Sequence, residues 1–371
     1  MNNSTSPLSH VFISQAHLVS YGGSEMVTLE LAEHFAAAGS KVTIGTWSAG
    51  RPVLSHLTDR ANISYFDIDD DQLSKVLESD PPQLAWIHHQ IVPQWLLQNP
   101  GVTAFVFNHM SSAHPLESSW SAVVEAKLAG LHVYNSAETL EAHLADGAAE
   151  AFDPARMKVF ANPAPDAFGA AGKPSRGRKQ LIGVVSNHVP GELGKVLEDP
   201  PAGVDFLPIG SGDVANSVAA RVTPETLAAL DGVVTIGKTV QYAMLAGVPV
   251  YCYDKFGGPG WLDAENFAVA EFHNFSGRGF AVKSPEDIAT ELASGIEAAT
   301  DFAVELKSGD LSRFTLSTAL QEVLLTLDER PAAPSTLEGA EASAHSRQQN
   351  LVGHYVRNWL RATQRLAGSQ K

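Results

Sequence analysis

The stretch from Asp231 to Leu262 constrains the fold more than any other part of the chain. It reads Asp231-Gly232-Val233-Val234-Thr235-Ile236-Gly237-Lys238-Thr239, runs on through Val240 to Ala246, and continues with Gly247-Val248-Pro249-Val250-Tyr251-Cys252-Tyr253-Asp254. Gly232 to Ile236 is a short β-branched run, the composition of a buried strand. Gly237-Lys238 forms a turn. Thr239 is a good helix N-cap, and Val240, Ala243 and Met244 share one helical face. Gly247 stands where a helix C-cap belongs, and Val248 to Tyr253 reads as the next strand. Strand, tight turn, helix and strand make half of a doubly wound α/β sheet, and such sheets take ligands at these turns. The amides at the helix start, with Lys238 and Thr239 beside them, suit an anion. Gly237, Lys238 and Thr239 are therefore phosphate-binding candidates. A plain core turn is the competing reading, although a buried lysine there would still need an anionic partner.

The same stretch matches Gly-x4-Gly-Lys-Thr, the phosphate loop of ATPases. That motif needs a strand before its first glycine and a flexible loop after it. Here Pro224 to Leu230 has a helical pattern, and the four intervening residues read as the strand itself. An ATPase is not expected.

At 371 residues the chain has room for two domains with separate cores. The net charge of -16 argues against nonspecific nucleic-acid binding. With Cys252 as its one cysteine, the chain can form neither an internal disulfide nor a cysteine metal cluster. Met1 to His10 has no basic segment and no apolar run, so no signal peptide is expected. No stretch approaches the length and apolarity of a membrane span. The cytoplasm is the expected compartment.

His10 to Ala16 reads as the first strand. It leads through Tyr21-Gly22-Gly23-Ser24-Glu25 into a helix with Met26, Leu29 and Phe35 on its inner side and Ser24 as N-cap. Gly22 and Gly23 let a backbone come close to a ligand. Gly39 ends the helix, and Lys41 to Thr46 is the second strand. Leu84 to His89 and Thr103 to Phe107 read as further strands, followed by His88-His89-Gln90 and Asn108-His109-Met110 at the ligand edge. No carboxylate partner and no helical His-x3-His pair accompanies these histidines, so a metal is the lesser reading. Any of them serves equally as a hydrogen-bonded wall residue. Met157 to Phe160 is a strand that runs into Asn162-Pro163, and Lys173 to Lys179 is a polar connection. Gln180 to Val185 opens a second α/β unit and ends in Ser186-Asn187-His188. Asp205 to Ile209 is another strand, and Val222-Thr223-Pro224 starts a helix. The expected domains are 1–162, 163–330, and a linker with a C-terminal amphipathic helix over 331–371.

The opening unit resembles the family 4 glycosyltransferases, in which a Gly-Gly-x-Glu turn precedes a long helix, a glycine and a strand. Asn162-Pro163 resembles the family's passage between domains, and Gly247-Val248-Pro249-Val250 its Gly-x-Pro-Val segment. The resemblance implies the GT-B architecture, α/β with two Rossmann-like doubly wound domains facing a cleft. It implies an enzyme, a hexosyltransferase that takes a nucleoside-diphosphate sugar as donor and a sugar or lipid-linked acceptor, in glycan or cell-envelope polysaccharide synthesis. It further implies a retaining reaction without metal and without a cofactor beyond the donor. His109 matches the family histidine near the donor sugar. Asn187 and His188 stand in the region of the family's diphosphate-binding arginine, with Lys195 in its lysine region. Val222 and Thr223 match the nucleobase region, where a plain helix start is the equal alternative. The chain departs from the family at the Glu-x7-Glu pair, whose places hold Val234 and Tyr242. Asp254 is the acidic candidate to take over, with a turn cap as its bland reading. Two other readings stay open, a GT-B-like sugar-nucleotide epimerase and a non-catalytic glycosyltransferase-like subunit.

From Ala332 onward the chain carries five Lys/Arg and two Asp/Glu, a net of +3 in an acidic protein. Leu351, Val352, Tyr355, Val356, Trp359 and Leu360 form an apolar stripe at helical spacing. Packing on the protein's own body or a second subunit is favoured over a membrane surface.

Overall fold

The computed structural model describes residues 8–58, 60–118, 120–170, 179–210, 217–331, 334–335 and 337–369. Much of the polar connection expected over Lys173 to Lys179 lies outside them. The chain divides into two compact units. One comprises Met1–Tyr134, Thr139–Val159 and Val323–Lys371, and the other Asn135–Glu138 and Phe160–Glu322. The C-terminal segment, expected as a part of its own, groups with the first unit.

The first unit is built on β1 (His10–Gln15), β2 (Lys41–Thr46), β3 (Ile63–Asp67), β4 (Leu84–His88), β5 (Ala104–His109), β6 (Ala129–Tyr134) and β7 (Met157–Val159). They form one parallel sheet in the order β3-β2-β1-β4-β5-β6-β7. A parallel sheet needs helices on both faces, so its strands are apolar along their length. Accordingly β1, β4 and β6 are buried at every residue. The order reverses between β1 and β4, and the ligand crevice of such a sheet lies beyond the carboxyl ends of those two strands.

The C-terminal helix Gly339–Ser369 closes part of this unit. Its stripe divides. Val356 and Leu360 join a core cluster with Trp47, Ile87 and Leu96, each worth about 1.5–3 kcal/mol if fully buried. Gln349 accepts the Val92 amide at 2.9 Å, and Lys127 pairs with Glu341. Leu351, Tyr355 and Trp359, one turn apart on the helix, stay exposed.

The second unit carries β8 (Gln180–Val185), β9 (Val204–Ile209), β10 (Gly232–Thr235), β11 (Val250–Asp254) and β12 (Gly257–Trp261). Their order is β12-β11-β10-β8-β9, parallel except for β12 at the edge. This order reverses between β8 and β10. The segment after Asp254 folds back as a hairpin, whose glycines bring β12 against the backbone of Cys252 and Ala281. Gly232–Thr235 is itself the strand, so the Gly-x4-Gly-Lys-Thr match has no loop between its glycines.

Candidate functional site

In the first unit, the turn after β1 is organised by Glu25. Its Oε1 accepts the amides of Val19 and Ser20, both at 2.8 Å, and lies 3.2 Å from His17 Nδ1. Its Oε2 accepts the Ser20 hydroxyl at 2.8 Å and the Gly22 amide at 3.0 Å. Burial alone would raise this carboxyl; hydrogen bonds from His17, Ser20 and Val19 outweigh it and hold the pKa below the ordinary value. The helix Gly23–Ala37 therefore starts from Gly22, and Ser24, expected as N-cap, accepts from Gln15 Nε2. A Cβ on Gly22 would stand 2.3 Å from Glu25 Oε2. Gly22 is small for this carboxylate, and its amide is spent on it. Gly23 has open space at its Cβ position, within 4 Å of nothing.

His109, expected near the donor sugar, is a buried residue paired with a carboxylate. His109 is 3% exposed, and its Nε2 lies 2.7 Å from Glu125 Oε1. His132 Nδ1 meets the same oxygen at 2.7 Å. Tyr134 stacks on the His109 ring at 4.9 Å. Burial would lower the His109 pKa, but the Glu125 charge and hydrogen bond overcome it and raise it. Burial pushes Glu125 the other way, and His109 and His132 hold it down at about 2. The carboxylate partner that the sequence did not reveal sits on the helix Ala122–Leu128, between β5 and β6, and only the crossover brings it under the histidines. The donor atoms of His109, Glu125 and His132 lie within 4.8 Å of one another, a spacing compatible with metal binding, but here both imidazoles are engaged by the carboxylate.

Beside it, at the end of β4, His89 Nδ1 lies 3.2 Å from Glu117 Oε1, and Glu117 Oε2 accepts the Met110 amide at 3.0 Å. Burial would raise the Glu117 carboxyl; the nearby His89 charge and the Met110 amide bring it down to about 2.

In the second unit, the candidates divide into two groups. Asn187 and His188 follow β8, and Gly237, Lys238 and Thr239 follow β10, the two strands that flank the reversal. His188 is exposed, and a turn between the Ser186 hydroxyl and His188 shapes its loop. Asp254, at the end of β11, is 8% exposed; burial raises its pKa, against the lowering effects of Lys255 and of the His188 charge. Asp254 and His188 thus belong to one electrostatic neighbourhood, which Glu192 shares through its hydrogen bond from the Tyr253 hydroxyl at 2.8 Å. Asp254 is the buried last residue of β11, directly before the hairpin turn at Lys255.

The β10 turn corrects the expected helix cap. Gly237, not Thr239, is the helix N-cap, at φ 55° and ψ -130°, a conformation that favours glycine. Its amide donates to the Phe275 carbonyl at 3.0 Å. Among the described residues, Lys238 Nζ donates to the carbonyls of Asn162, at 3.2 Å, and Pro163, and lies over the Tyr242 ring. These carbonyl dipoles stabilise the buried ammonium. Tyr242 itself is buried and stacks on Phe168 at 4.3 Å. Thr223 caps the helix Pro224–Ala228 by accepting from the Thr226 amide, and Val222 is buried in the core, which is the plain helix start.

No protein-family model matches the sequence, and no curated protein matches it. Solved structures do match. Anabaena Alr3699/HepE, in complex with UDP-glucose, superposes with a TM-score of 0.58 at 16% identity over 86% of this chain and 99% of that one. A TarM mutant of S. aureus, in complex with fondaparinux, alpha-GlcNAc-glycerol and UDP, gives 0.57 at 11% identity over 86% and 100%. WaaG, a glycosyltransferase involved in lipopolysaccharide biosynthesis, gives 0.54 at 12% identity over 85% and 99%. The fold is that of the GT-B glycosyltransferases.

Proposed function

We propose that the protein is a glycosyltransferase that moves a hexose from a nucleoside-diphosphate sugar to a sugar or lipid-linked acceptor, in the cytoplasm, for glycan or cell-envelope polysaccharide synthesis. The observation that carries this reading is the placement of polar side chains at both strand-order reversals: His17 and His89 in the first unit, Asn187 and His188 with Asp254 nearby in the second. Such reversals are where doubly wound sheets bind nucleotides. The solved neighbours bound to UDP or UDP-glucose support a uridine nucleotide as the first donor to try. With Lys238 turned to carbonyls, the diphosphate is assigned to the β8 loop of Asn187 and His188. The exposed ridge of Leu351, Tyr355 and Trp359 supports contact with a membrane surface or a second copy. Among the described residues no helix is long and apolar enough to cross a membrane.

The test is incubation of the protein with a panel of nucleotide sugars, with and without lipid-linked acceptors. Transfer that depends on acceptor supports the proposal. Product formed from the donor alone indicates an epimerase. Nucleotide binding without turnover indicates a non-catalytic subunit.

A further inference from the structure

The turn after β4 holds two consecutive non-glycine residues in the left-handed region, His89 at φ 54° and Gln90 at φ 56°. Such residues are strained and persist where the surroundings enforce them, often at functional sites. The enforcement is visible. Trp120 Nε1 donates to the His89 carbonyl at 3.1 Å, and the Ser121 amide donates to Gln90 Oε1 at 2.7 Å. The strained turn stands next to β1, where the strand order reverses.

The strain serves a side-chain arrangement. It sets His89 Nδ1 3.2 Å from Glu117 Oε1, while Glu117 is fixed from behind by the Met110 amide. The ring N–H is not aligned for a full hydrogen bond. Unliganded catalytic pairs are often loose in this way and tighten in the reacting complex. A carboxylate at Nδ1 keeps the proton there and the lone pair on Nε2, the tautomer a general base requires. His109 cannot take this part, because Glu125 holds its Nε2.

We propose that His89 and Glu117 form a general-base pair that activates the acceptor hydroxyl, an assignment that rests on the transferase reading above. Nε2 of His89 takes the hydroxyl proton as the acceptor oxygen bonds to the anomeric carbon. The bond from that carbon to the diphosphate oxygen breaks, and its electron pair leaves with the nucleoside diphosphate. Glu117 stabilises the imidazolium, which returns its proton to solvent. A single displacement inverts the anomeric configuration, in contrast to the retention implied by the family 4 resemblance. Inversion is consistent with Val234 and Tyr242 standing in the places of that family's glutamates.

The experiment compares the full-length protein with His89→Gln and Glu117→Gln, using the best donor and acceptor from the panel. His89→Gln should lower kcat by about 10²- to 10⁴-fold, with nucleotide affinity in calorimetry unchanged. Glu117→Gln should also lower kcat with nucleotide affinity unchanged, because the imidazolium formed in the step loses its counter-charge, and Glu117→Asp should recover part of that loss. The product anomer, read by proton NMR, should be inverted. Wild-type kcat in His89→Gln, or a retained product, overturns the assignment and leaves the transferase reading standing. A parent protein that turns over no donor overturns both. If His89→Gln does not fold, the kcat of Glu117→Gln and Glu117→Asp and the product anomer decide.

Discussion

Three buried glutamates, each held against a histidine, shape the ligand edge of the first unit: Glu25 with His17, Glu117 with His89, and Glu125 with His109 and His132. Their effects on stability depend on pH in opposite senses. Glu125 has its pKa depressed from 4.5 to about 2, so its contribution is full above 4.5 and fades as pH falls toward 2. His109 has its pKa raised above 6.5, so its contribution is full below 6.5 and fades as pH rises through the raised value. The pair stabilises most between those limits. Glu125→Gln leaves a buried imidazole without its counter-charge, at a cost of about 3–5 kcal/mol near pH 5.5. Urea denaturation should show a smaller difference from wild type at pH 8.5, and equal differences at both pH values would contradict the ion pair. Lys238 makes a second case. Its ammonium is bonded to carbonyls, so Lys238→Met should lower the stability of the second unit by about 1.5–3 kcal/mol for each charge-assisted bond lost. Loss of nucleotide affinity with an unchanged urea midpoint would restore the phosphate role.

Among the elements, those with strong local signals stand where the sequence places them. β2 and β8 match residue for residue, and Gly247 is the left-handed C-cap of the helix Lys238–Ala246. Glycine and proline dominate Gly257–Trp261, a composition that favours loops; pairing with β11 overrides it and makes the segment β12. β3 gave no clear alternation, since it has polar and half-exposed residues at Ser64, Tyr65 and Asp67. The C-terminal helix shows what periodicity leaves open: an apolar stripe identifies the helix but not which half of the stripe is covered. Leu360→Ala should therefore destabilise the first unit by about 2–5 kcal/mol. Tyr355→Ala, on the exposed half, should change stability by no more than about 0.5 kcal/mol. Matching midpoints for the two variants would refute this division.

For the molecule as a whole, the two strand orders carry the functional argument, because each defines a reversal where a nucleotide or acceptor can approach. A nucleoside diphosphate that binds the folded protein should raise its melting temperature, by a stabilisation of about 2.7 kcal/mol at a hundred times Kd. The proposed reaction draws on side chains and the donor alone, so dialysis against EDTA should leave the transfer rate and the melting temperature unchanged. A rate lost to EDTA and restored by a divalent ion would move attention to His109, Glu125 and His132.

The α/β class and most strands were legible in the chain, because apolar runs, caps and turn residues act over a few neighbours in sequence. The candidates Asn187, His188 and Asp254 were legible for the same reason: they follow strands that announce themselves. The partners of buried polar groups were not. Glu125 lies a crossover away from His109, and the carbonyls of Asn162 and Pro163 are remote in sequence from Lys238. Whether a cation meets a phosphate, a carboxylate or a carbonyl is settled by long-range packing, which must satisfy every buried charge and is encoded in no local motif.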